Sequence, residues 1–136
     1  MPELISVATA SPEFVPAPIT DAEAAAMFRA ALNLFKLWGV SDLDAAVLLD
    51  LPARSFARWK TGATGRITRD QKARLSNLMG IHKALRIIFR EPARAHAWVR
   101  LPNAVFGGRT ALDIMLGGEL TDLIRVRRYL DAERGS

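Results

Sequence analysis

Behind Thr20-Asp21-Ala22-Glu23, apolar residues return every three or four positions, at Phe28, Ala31, Leu32, Phe35 and Trp38. That spacing is the period of a helix with one buried stripe. Thr20 with Glu23 three residues later makes a capping box, and Gly39 is the stop. A short helix follows from Ser41-Asp42-Leu43-Asp44, with Ala45, Ala46, Leu48 and Leu49 facing inward. Leu51-Pro52 breaks it, and Pro52 suits the first turn of the next helix, which carries Ala53 to Lys60 and ends at Thr61-Gly62-Ala63-Thr64-Gly65.

Thr68-Arg69-Asp70-Gln71 is a second capping box. It opens a longer helix with Leu75, Leu78, Met79, His82, Leu85, Ile88 and Phe89 on one side. Pro92 separates this from a short helix through Trp98. A turn-rich connector, Leu101-Pro102-Asn103 and Phe106-Gly107-Gly108, leads to a helix capped by Thr110 and Asp113 and closed by Gly117-Gly118. The last amphipathic helix runs from about Leu120 to Glu133, with Leu123, Ile124, Val126 or Arg127, and Leu130 inward. No run alternates as a strand does, so the fold class is all-α. Residues 1–19 contain Pro2, Pro12, Pro16 and Pro18 and no sustained period, which reads as a flexible N-terminal arm.

Composition narrows the chemistry. Half the residues are hydrophobic, enough to bury a core in 136 residues. Cysteine is absent, which removes disulfides, thiolate nucleophiles and Cys-based metal sites. No apolar stretch approaches the ~20 residues of a membrane helix and no basic leader precedes one, so a cytoplasmic location is the expectation. Nineteen Lys and Arg against fourteen Asp and Glu give +5, and the excess is localised. Residues 1–25 hold four acids and no base, whereas residues 54–100 hold twelve bases against Asp70 and Glu91, or +10. A segment so basic suits an anionic partner, most simply nucleic acid, although solvated helix faces account for it equally.

The segment Ser41 to Lys60 supplies a way to use that charge, because two short helices joined at a tight break are a helix-turn-helix. In the second helix Ala53, Phe56 and part of Trp59 point toward the first, while Arg54, Ser55 and Arg58 share the other side. Arg54 and Arg58 suit bidentate contacts to guanine, and Ser55 a base or phosphate. Lys60 and Arg66 are placed for backbone phosphates, and Arg69, Lys72 and Arg74 extend the basic surface. An ordinary helical corner with surface arginines is the plainer explanation of the same pattern.

From Trp38 to Gly62, ending Arg58-Trp59-Lys60-Thr61-Gly62, the chain resembles the Xre-type helix-turn-helix of the Xre/MbcA/ParS antitoxins. The stretch Asn103-Ala104-Val105-Phe106-Gly107-Gly108-Arg109-Thr110-Ala111-Leu112-Asp113, then Gly117-Gly118 and Val126-Arg127-Arg128-Tyr129-Leu130-Asp131-Ala132, resembles that family's toxin-binding domain. The resemblance implies three parts: the arm at 1–19, a helix-turn-helix region at 20–66 and a helical toxin-binding domain at 67–136. It also implies a partner, a RES-type toxin that consumes NAD or transfers its ADP-ribose, whose NAD site the antitoxin closes. Repression of its own operon is implied for many members. Family members commonly have proline where this chain has Ala111.

Within the second half, Asn103, Gly107 and Gly108 are turn formers that shape the site without touching the partner. The expected contact surface is the last helix: Arg125, Arg128 and Tyr129, joined by Arg109 and by the tip Arg134-Gly135-Ser136, which is expected to enter the toxin's cofactor cleft. A homodimer is expected on a two-fold operator. Met27, Phe28, Leu32 and Phe35 are a candidate dimer surface that core packing explains as well.

No other chemistry assembles. His82 and His96 lack a ligand partner at helical spacing and read as core or boundary residues rather than metal ligands. Neither Gly107-Gly108 nor Gly117-Gly118 is a phosphate loop, so no cofactor is expected. Asp42, Asp44, Asp113 and Asp131 fall at helix ends, where capping and the helix dipole explain them. Two functions remain: an antitoxin that also binds its operator, and a stand-alone helix-turn-helix regulator with a C-terminal ligand or dimerisation module. Neither is an enzyme.

Overall fold

The computed structural model describes residues 18–135, so Ser136 and most of the expected arm, residues 1–17, lie outside the described residues. The described residues form seven α-helices: α1 (Asp21–Trp38), α2 (Asp42–Leu49), α3 (Ala53–Lys60), α4 (Arg69–Ile88), α5 (Pro92–Ala97), α6 (Ala111–Met115) and α7 (Leu120–Arg134). Two short 3₁₀ turns, Trp98–Arg100 and Ala104–Phe106, lie between α5 and α6. Among the described residues there is no strand, only an isolated bridge between Pro102 and Thr110. The expected all-α fold is the observed one.

Local chemistry sets the helix ends. The Thr20 hydroxyl accepts from the Glu23 N–H (3.1 Å) and the Glu23 carboxylate accepts from the Thr20 N–H (2.9 Å). Thr68 with Gln71, and Thr110 with Asp113, repeat the reciprocal cap at α4 and α6. Gly39 closes α1 in the left-handed region (φ 69°), and Asp50 closes α2 in the same region (φ 54°).

Helix α4 is the spine. At 20 residues it is about 30 Å long. Helix α7 packs along it, α1 and α2 lie against it, and α5 folds back on it. Arg127 of α7 crosses α4 at Gly80, where a Cβ would fall 2.4 Å from the guanidinium carbon; the missing side chain makes room for it.

The α2–α3 pair is held to α1 by aromatic packing. Phe28 meets Phe56 (6.0 Å) and Trp59 (5.6 Å) edge to face, and Phe35 tilts against Phe56 (6.4 Å). Phe28 and Phe35 are therefore core residues, and Met27 and Leu32 are half-buried beside them, so the candidate dimer surface on α1 is spent inside the molecule. Leu34, rather than Leu32, is the fully buried leucine of that helix.

Candidate functional site

Two regions hold the residues singled out in the sequence. In the first, Phe56 and Trp59 anchor α3 inward while Arg54 and Arg58 are exposed, on the side opposite the core. Ser55 is half-buried, and Ala53 is exposed rather than turned toward α2. A side chain at Gly65 would meet the Trp59 indole at 3.0 Å, so the loop after α3 presses directly on its anchor. Pro52 is the N-cap of α3 and provides no side-chain bond.

The basic surface beyond α3 is smaller than expected. Lys60 pairs with Asp42 (3.1 Å), tying the end of α3 to the start of α2. Lys72 pairs with Asp21 (3.0 Å) and donates to the Ile19 carbonyl (3.1 Å). Arg74 is not on the surface at all: only 4% exposed, it pairs with Asp70 (2.7 Å) and donates to the Leu48 carbonyl (3.2 Å). Its positive charge sits at the C-terminus of α2, where the orphan carbonyls and the helix dipole favour a cation. Gln71 supports the same end by donating to the Asp50 carbonyl (3.2 Å). Arg100 does this for α1, donating to the carbonyls of Trp38 (2.7 Å) and Gly39. Part of the +10 segment is thus internal fastening. Arg66 and Arg69 remain exposed and line an open groove of about 780 Å³ beside the start of α4.

The second region is built by the connector and α7. Asn103 is extended (φ −137°), and its side chain accepts from the Val105 N–H (2.9 Å) to start the 3₁₀ turn. Gly107 (φ 68°) and Gly108 (φ 86°) then reverse the chain; a Cβ on either would meet nothing within 4 Å, so backbone conformation is their requirement. The turn delivers Phe106 into a cluster with Trp98 and Tyr129. Trp98 and Tyr129 stack (6.2 Å, 11° between planes), and Phe106 stands edge-on to both, 6.3 Å from Trp98 and 5.6 Å from Tyr129.

Along α7, Leu123, Val126 and Leu130 are buried, which settles the inward register on Val126 rather than Arg127; Ile124 is half-buried. Arg125 and Arg128 are exposed, and Tyr129, stacked on Trp98, is half-buried. Arg109 is exposed and donates to the Asp113 carbonyl (3.3 Å). Arg134 lies in the last turn of the helix, 3.8 Å from Asp131, and Gly135 caps it. The aromatic cluster and the helix-capping arginines were not foreseen from the sequence, because their partners lie far along the chain.

His82 on α4 and His96 on α5 stack at 6.0 Å with 17° between the rings. Burial, then the neighbouring His96 and Arg86 charges, hold the His82 imidazole below its ordinary value. Among the described residues no three metal-ligating side chains come together, and no helix is long and apolar enough to cross a membrane.

A helix-turn-helix packs on the N-terminal half of α4, and a second helical surface, that of α7, lies along the same helix. Residues 17–80 match the antitoxin Xre-like helix-turn-helix domain, and residues 84–135 match the antitoxin Xre/MbcA/ParS C-terminal toxin-binding domain. The chain belongs to the Xre/MbcA/ParS antitoxin family. It is 47% identical over 115 residues to uncharacterized protein y4oB of Sinorhizobium fredii (strain NBRC 101917 / NGR234), covering 84% of this chain and 85% of that one. The crystal structure of the M. tuberculosis MbcT–MbcA toxin–antitoxin complex contains a similar chain, with a TM-score of 0.53 and 25% identity. That likeness covers 82% of this chain and 93% of the other.

Proposed function

We propose that this antitoxin neutralises a RES-type, NAD-consuming or ADP-ribosylating toxin by seating α7 and the Arg134-Gly135-Ser136 end against the toxin's cofactor cleft. The observation that carries this reading is a coincidence of position. The part matching the toxin-binding domain, 84–135, is also where Arg125 and Arg128 stand exposed on an outer face of α7. A cleft shaped for a dinucleotide is deep and polar, and a rigid helix bearing guanidinium groups is suited to fill it. The protein acts by occupancy and makes no bonds of its own.

The α2–α3 pair adds operator binding for autoregulation. Arg54 and Arg58, exposed on a helix whose opposite face is locked to α1, are the base-reading residues; Ser55 and Lys60 serve phosphates, Lys60 by exchanging Asp42 for the backbone. Two copies binding together supply the two recognition helices that a two-fold operator needs.

Co-expression with the gene beside its own tests the reading. Growth arrest by the neighbour alone, relieved by this chain with co-purification of the two proteins, is expected. Arrest that persists despite a folded, abundant antitoxin contradicts it.

A further inference from the structure

The arginines of the C-terminal region are held in different ways. Arg127 donates to the Ser76 carbonyl (3.4 Å) and pairs with Asp131 (3.5 Å), Arg134 also meets Asp131, and Arg109 is turned onto the Asp113 carbonyl. Arg125 and Arg128 differ from these in being exposed without such a hold among the described residues, and of the two it is Arg125 that lies over an aromatic ring. It is exposed, it has no carboxylate partner among the described residues, and its guanidinium carbon stands 5.4 Å from the centre of the Phe106 ring.

Phe106 is itself fixed. It is 4% exposed, with its ring edge-on to Trp98 and Tyr129, and the turn from Asn103 to Thr110 is closed around it. The Asn103 N–H donates to the Arg109 carbonyl, and the Gly108 N–H donates to the Asn103 carbonyl, both at 3.0 Å. The turn and the aromatic stack therefore support one exposed cation.

A guanidinium resting on an aromatic ring keeps its N–H groups at the edge of its plane, where a carboxylate is the matching bidentate acceptor. The stacked side chain has also lost part of its freedom before any partner arrives, so less remains to be lost on binding. We propose that Arg125 is the arginine offered to a carboxylate on the toxin, and that Phe106, held by the 103–110 turn, is the positioning residue that presents it. This rests on the proposed function and adds to it the chemistry of the partner's contact and a role for the Asn-Ala-Val-Phe-Gly-Gly turn.

The test measures binding of the full chain to the protein encoded by the neighbouring gene, by titration calorimetry. Arg125→Lys keeps the charge and loses the planar fork; Phe106→Leu keeps an apolar core residue and loses the ring face. Each raises Kd about tenfold alone, and Phe106→Leu adds less than about twofold in the Arg125→Lys background. Equal effects of Phe106→Leu in both backgrounds, or no effect of Arg125→Lys, overturn the proposal. Should Phe106→Leu fail to fold, charge reversal decides: Arg125→Glu abolishes binding, and an Asp or Glu to Lys change on the partner restores it. If no such partner change restores binding, the carboxylate assignment is wrong. A wild-type chain that does not bind this partner sinks the proposed function itself, and the present inference with it.

Discussion

Arg74 and His82, about two turns apart on α4, are both defined by neighbours that sequence spacing does not reveal. Arg74 has the composition of a surface base, yet it is buried with its guanidinium at the carbonyls ending α2. Replacing it with Met removes charged hydrogen bonds and strands the Leu48 carbonyl, at a cost of about 2–3 kcal/mol in urea unfolding. A loss below about 0.5 kcal/mol would instead mark it as a dispensable surface base. His82 gives a pH signature. Its folded-state value is depressed, so the neutral form is favoured in the native protein, and the unfolded chain binds more protons as pH falls through about 6.5. Stability is complete above that range and declines below it. The urea midpoint should drop between pH 7.5 and 5.5, and His82→Gln should reduce the drop; an identical drop in the variant removes His82 as the cause. Neither role was legible beforehand, because Leu48 is 26 positions from Arg74 and His96 is 14 from His82.

Helix boundaries were the legible part, since a cap is written within four residues. Thr20 with Glu23, Thr68 with Gln71 and Thr110 with Asp113 each join as their spacing predicts, and Gly39 ends α1. The last helix was read to Glu133 and extends to Arg134. What was missed is which faces these helices use on one another: Phe28 and Phe35 could equally have served a dimer until α3 was seen to pack on them. Two predictions belong to this scale. Ala111 is the first residue of α6 and follows Thr110 in an extended conformation (φ −84°, ψ 156°), the geometry proline needs before and at a helix start. Ala111→Pro should raise stability by about 0.4–1 kcal/mol through the unfolded state, and a destabilised variant would show that the buried site lacks room for the ring. Residues 131–135 are exposed beyond the last buried residue of α7, Leu130, so deleting 131–136 should leave the melting transition nearly intact while weakening neutralisation. Undiminished neutralisation at equal concentration would make that end irrelevant.

Across the whole molecule, α4 carries the helix-turn-helix on its N-terminal half and α7 along its length, so one helix positions both regions. Net charge overstated the exposed basic surface of the first region. Lys60, Lys72, Arg74 and Arg100 all have partners within the molecule, whereas Arg54, Arg58, Arg66 and Arg69 are exposed. Operator affinity should still fall steeply with salt, about 10³–10⁵-fold from 50 to 200 mM if a dimer contacts six to ten phosphates, and a flat response would remove the recognition-helix assignment. The central claim, that this protein works by occupying its toxin, is tested most directly by titrating it into the purified product of the neighbouring gene, proposed to be that toxin, while following NAD consumption. Loss of NAD turnover in proportion to added antitoxin, complete at a fixed molar ratio, is the predicted result. Turnover that continues unchanged under excess antitoxin would contradict it.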